Sequence, residues 1–160
     1  MNVVEKTYGS TLRVRVCGIC IKNESIVLVK HKGLNDENEF WSPPGGGMNF
    51  GESAVSALKR EMIEETGLVC EVKEFLFVNE FYRHPLHAIE LFFSVELEKG
   101  AIKTGYDPEH DARQQLIQDV RFVTFQELNE LPDIKKHTIL HGNLSKNKLL
   151  NLRGYFKLWQ

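Results

Sequence analysis

The chain has 160 residues, of which 42% are hydrophobic and 26% charged, with a net charge of −2. That length suits one domain with a real core rather than two, and the near-neutral balance argues against strong binding of nucleic acid or an anionic membrane. No apolar run approaches the roughly 18–20 residues of a membrane-spanning helix, and the N-terminal MNVVEKTYGS lacks the basic-then-apolar pattern of a signal peptide.

Residues 12–21, LRVRVCGICI, and 25–31, SIVLVKH, read as strands joined by a polar turn at 22–24. The first strand carries Cys17 and Cys20 in a C-x-x-C spacing. Positions three apart on a strand point to opposite faces, so these are read as structural thiols rather than a redox or metal pair. With Cys70 the count is odd. Without an export signal, that predicts reduced thiols and a cytoplasmic protein.

After the loop KGLNDENEF comes WSPPGGGMNFGE, dense in turn residues. Helical spacing then runs from about Ser53 to Thr66, and Gly67 is suited to end the helix in the left-handed conformation. Residues 69–82 and 87–98 predict two long strands, followed by a polar loop over 99–117. A further strand is expected over 119–125. Thr124 and Glu127 resemble a capping box opening a short helix up to Pro132, and another helix is expected over 133–144.

From about residue 145 the tail SKNKLLNLRGYFKLWQ mixes basic and aromatic side chains. We read it as packing on the body or on a second copy in a homodimer, rather than as a nucleic-acid arm. Strands on either side of one well-defined helix predict a single α/β domain over 1–160, with a mixed sheet and helices on its faces.

The segment REMIEETG (60–67) raises a chemical question. Glu61, Glu64 and Glu65 occupy one arc of about 100° at the C-terminal end of the predicted helix. Carboxylates are disfavoured there by the macrodipole, and like charges three and four apart repel. Ala54 and Ala57 share this arc, while Val55, Leu58 and Met62 form the apolar stripe. A solvated acidic face is the simple explanation. Against it stand the single sign of the cluster, the sole compensating Arg60 and the Gly-rich loop just before the helix. A divalent cation among the carboxylates would account for all three. Oxygen ligands favour Mg²⁺, with Mn²⁺ as an alternative, over zinc.

The stretch GGMNFGESAVSALKREMIEETGL (46–68) resembles the Nudix box, G-x5-E-x7-R-E-U-x-E-E-x-G-U, with U a bulky aliphatic. Gly46, Glu52, Arg60, Glu61, Glu64, Glu65 and Gly67 fill every fixed position, a match expected by chance on the order of 10⁻⁸ per start point. WSPPGG upstream resembles the usual lead-in.

The resemblance implies a Nudix-type α/β/α sandwich and hydrolysis of a nucleoside diphosphate linked to another moiety. It implies Glu61, Glu64, Glu65 and the Gly45 carbonyl as metal ligands, and Arg60 orienting Glu64 or Glu52. Gly45, Gly46 and Gly47 would let backbone approach metal and phosphates. One of the three glutamates, or a carboxylate elsewhere such as Glu109 or Asp111, would act as base. Phe81, Tyr82, His84 and His87, near a turn between long strands, are candidates to contact substrate, and Tyr106, Asp107 and Glu109 to cover the site.

The expected substrate is a small nucleotide, either an ADP-ribose-like sugar nucleotide or a nucleoside triphosphate. A catalytically silent nucleotide sensor is the alternative from another class, although such proteins usually lose box glutamates and none is missing here. An RNA 5′-end pyrophosphohydrolase would favour a broad basic surface, which the acidic balance does not suggest.

Overall fold

Alternation of apolar side chains puts the long strands between two layers, and the computed structural model shows how they join. It describes residues 3–34, 38–105 and 115–159. In chain order these form α1 (Val3–Tyr8), β1 (Leu12–Lys22), β2 (Ser25–His31), β3 (Phe40–Ser42), β4 (Gly45–Gly47), α2 (Ala54–Thr66), β5 (Val69–Arg83) and β6 (Leu86–Lys99). Then come β7 (Ile117–Thr124), α3 (Phe125–Glu130), two 3-10 turns at Asp133–Lys135 and Thr138–Leu140, α4 (Lys146–Leu150) and β8 (Gly154–Trp159).

The sheet runs β3-β2-β1-β6-β5-β8, with β4 added to β1 and β7 to β2. It is mixed: β1 pairs with β6 and β5 with β8 in parallel, while the other strand pairs are antiparallel. The β1–β2 hairpin is paired only at Ile21↔Ile26 and Lys22↔Ser25. Beyond that point β1 takes β4 as its neighbour and β2 takes β3, while β7 pairs with β2 from Ser25 onward. The parting of these two strands opens the cleft described below.

Side chains alternate into two cores, one on each face of the sheet. Val16, Cys20, Val27 and Val29 pack with Ala57, Leu58 and Met62 of α2. Cys17, Ile19, Ile26 and Leu28 pack with Phe125 and Leu128 of α3, Ile139, Leu140 and Leu149. Cys17 and Cys20 thus belong to opposite cores, and all three cysteines are free thiols. Helices therefore cover both faces, as in an α/β sandwich. No helix among the described residues is long and apolar enough to cross a membrane.

The sequence reading needs correction in two places, and the tail follows one of its two expected packings. Residues 133–144 form two 3-10 turns, not a helix. Tertiary bonds take over here: Lys136 Nζ donates to the Leu128 carbonyl at 2.9 Å, and the His137 N–H donates to the Trp41 carbonyl at 2.9 Å. Val55, expected on the packed stripe, is exposed, and Ala57, expected beside the carboxylates, is fully buried in the core. The tail packs on its own body, with Leu149 fully buried and Phe156 against the core, and its end adds strand β8 beside β5.

Candidate active site

Helix α2 is bounded as its sequence demands. The Ser53 hydroxyl accepts from the Ser56 N–H at 3.1 Å, and Gly67 closes the helix at φ 72° with its N–H donating to the Ile63 carbonyl. The acidic arc is not a solvated face. Glu61 is 9% exposed and Glu65 6%, with Glu64 half-buried.

Arg60 gathers the acids. Its Nε and Nη2 grip the two oxygens of Glu52 at 3.0 and 2.9 Å, a bidentate pairing. Nη1 donates to Glu61 at 2.6 Å and to Glu64 at 3.3 Å, and Nη2 also donates to the Gly47 carbonyl at 3.0 Å. The expected i,i+4 contact with Glu64 is thus the longest of the set, and Glu52 and Glu61 are the closer partners. The Arg60 hydrogen bonds hold the Glu52 carboxyl down to about 2. Burial pushes the Glu61 carboxyl up, with Arg60 opposing.

The glycine loop meets the same helix. The Gly45 N–H donates to Glu65 Oε2 at 2.8 Å. A Cβ on Gly45, at φ 152°, would sit 2.0 Å from the Val16 carbonyl oxygen, because β4 lies hard against β1. A Cβ on Gly46 would sit 2.5 Å from the Glu61 carboxylate. Only glycine at these positions lets backbone run alongside the acids.

Loop and helix end form one wall of a cavity of about 480 Å³. The cavity is also lined by Arg13 and Arg15 of β1, next to the glycine loop, and by Arg83 of β5, Glu90 of β6 and His137. Arg13 stacks over the Tyr8 ring at 3.6 Å, and Arg83 donates to the Leu34 carbonyl at 3.2 Å. Glu90, 5% exposed, accepts from Asn79 Nδ2 at 2.9 Å and lies 3.0 Å from His137 Nε2. Burial alone would raise the Glu90 carboxyl, yet His137, Arg15 and Asn79 together hold it down to about 2. Burial, with Arg15 nearby, holds His31 down to about 3, so this cavity histidine is neutral.

The basic wall was missed by sequence reasoning. One signal was available: R-V-R at 13–15 puts two arginines on one face of an otherwise apolar strand. Among the earlier candidates, Phe81 and His87 line the cavity. The His87 ring, however, lies 3.0 Å from Glu80 and edge-on to Tyr82. Tyr82 and His84 line a separate small hollow with Ser10 and Pro85. Glu109 lies outside the described residues, as do Tyr106, Asp107 and Asp111. Among the described residues, no group of three or more His, Cys, Asp or Glu is assembled as a metal cage. Arg60 draws Glu61 and Glu64 to itself, while the Gly45 N–H holds Glu65.

Residues 11–143 match the family model described as NUDIX domain, and the chain belongs to that family. It is 33% identical over 123 residues to an ADP-ribose pyrophosphatase of Methanocaldococcus jannaschii, covering 76% of this chain and 65% of that one. It is 30% identical over 113 residues to the putative ADP-ribose pyrophosphatase YjhB of Bacillus subtilis, covering 68% of this chain and 52% of that one. The chain therefore spans between half and two thirds of these relatives' length. The fold is shared with the crystal structure of an ADP-ribose pyrophosphatase from Streptococcus suis, with TM-score 0.62 and 17% identity over 91% of this chain and 99% of that one.

Proposed function

We propose that the protein is a divalent-metal-dependent hydrolase. It cleaves the diphosphate linkage of a small nucleoside diphosphate derivative, an ADP-ribose-like sugar nucleotide or a nucleoside triphosphate, by water attack at phosphorus. The observation that carries this reading is one cavity lined together by the α2 carboxylates, the glycine loop and Arg13, Arg15 and Arg83. The names of the two relatives favour the sugar-nucleotide half of the class.

The donor set fits a hard cation. Glu61, Glu64, Glu65 and the Gly45 carbonyl supply oxygen only, which suits Mg²⁺ or Mn²⁺. The missing Cβ at Gly46 keeps space open beside the Glu61 carboxylate. Bound there, a divalent ion supplies charge neutralisation for phosphate oxygens and orients the anhydride. Arg60 fixes the directions of Glu52, Glu61 and Glu64. A carboxylate of this cluster positions the attacking water and takes its proton. The cavity walls exclude bulk water and bring the anhydride between acid and base.

Chromatographic separation of the products over a panel of ADP-ribose, other sugar nucleotides, nucleoside triphosphates and a 5′-triphosphorylated RNA tests this, with and without Mg²⁺. Nucleoside monophosphate and sugar phosphate are expected from a sugar nucleotide, and phosphate or pyrophosphate from a triphosphate. Metal-dependent turnover is expected, reduced at least about 10²-fold in Glu64→Gln or Glu65→Gln. Full activity in both variants would remove the site assignment. No turnover on any substrate would leave a nucleotide sensor as the better reading.

A further inference from the structure

We propose that Arg15 is the phosphate-binding residue of the cavity, taking the diphosphate oxygens of the nucleotide; this deepens the hydrolase reading and rests on it. An arginine offers five N–H donors in a fixed fork. Among the described residues, Arg15 engages one of them, Nη2, with the Gly45 carbonyl at a long 3.3 Å. Its Nε is buried with no hydrogen-bond partner, and Glu90 Oε1 stands 3.8 Å away, beyond hydrogen-bond reach. A buried donor left unmet is costly and calls for an explanation.

The surroundings supply one. Glu90 is the natural counter-ion, but its Oε2 is already committed to Asn79 and His137. That leaves the guanidinium close to a negative charge and yet poorly bonded, with its side chain 30% exposed at the cavity wall. Position matters as much as unused capacity. Arg15 touches the Gly45 carbonyl, and Gly45 in turn donates to Glu65. A phosphate oxygen on the fork would therefore lie beside the acidic cluster, where the scissile anhydride is needed. The other arginines of this wall are engaged elsewhere, Arg13 on Tyr8 and Arg83 on Leu34.

The test is calorimetric titration of wild type, Arg15→Gln and Arg15→Lys with α,β-methylene-ADP, which resists hydrolysis, and with adenosine, all in Mg²⁺. The expected result is about 10- to 100-fold weaker binding of α,β-methylene-ADP in Arg15→Gln. Arg15→Lys, which keeps the charge but not the fork, should fall between. Adenosine affinity and melting temperature should change little. If Arg15→Gln is poorly folded, Arg15→Lys alone decides by the ratio of the two affinities. Wild-type affinity for α,β-methylene-ADP in the variants overturns the assignment and leaves the hydrolase reading standing. Equal weakening for both ligands overturns it too, since Arg15 would then only shape the cavity. Wild-type protein that binds neither ligand overturns the nucleotide reading and, with it, the role of Arg15.

Discussion

Arg60 holds three carboxylates and a carbonyl with a single guanidinium. The repulsion that made REMIEETG look anomalous is met in part by this side chain, so the acids are positioned before any cation arrives. Lysine has no planar fork and could not reproduce the set. Elsewhere in the cavity lining, Glu90 plays the corresponding role for His137 and Asn79. Its carboxyl is held to about 2 in the fold, below its ordinary value of 4.5. It therefore adds stability that is complete above about pH 4.5 and is lost as pH falls toward 2. Glu90→Gln should cost about 1.5–3 kcal/mol at pH 7, as charge-assisted hydrogen bonds become neutral ones. Urea denaturation at several pH values should show that gap narrowing below about pH 4.5 and closing only as pH falls toward 2, where Glu90 takes up its proton and matches the uncharged glutamine.

Among the elements, β1, β2, β5, β6, β7 and α2 were legible because each is long enough to repeat its own period. The Thr124–Glu127 capping box was legible because it is wholly local, and both of its hydrogen bonds are present. Strand β4 could not be read: three glycines have no side chains to alternate, and only its register with Arg15, Val16 and Cys17 makes it a strand. That register is also why it is fragile. In Gly45→Ala the new methyl would meet the Val16 carbonyl oxygen at 2.0 Å, so β4 must pull away from β1. We expect a loss of about 1–3 kcal/mol in chemical denaturation, from backbone forced out of place. A fall in turnover should accompany it, because Gly45 would no longer reach Glu65.

Across the whole molecule, the acidic half of the site was legible and the basic half was not, for one reason. Glu61, Glu64 and Glu65 sit within five residues on one helix, whereas Arg13, Arg15, Arg83, Glu90 and His137 arrive from separate segments that only the sheet brings together. The tail illustrates the same limit. Its basic residues drew attention in the sequence, but its apolar ones fix its place, through Leu149 and Phe156 in the core beneath α3. Leu149→Ala should cost about 2–5 kcal/mol, the range for emptying a fully buried leucine site, and thermal unfolding would register it.

The parallel pairing of β1 with β6 runs without a break from Leu12↔His87 to Cys20↔Val95. No turn can zip such a ladder, because its two rows are far apart along the polypeptide, and the entropy of closing that long excursion is spent before the first bond is gained. The β5–β6 hairpin faces no such delay. Assembly is thus set to proceed from the β5–β6 hairpin toward the central seam, with Arg15 upon that seam joining late.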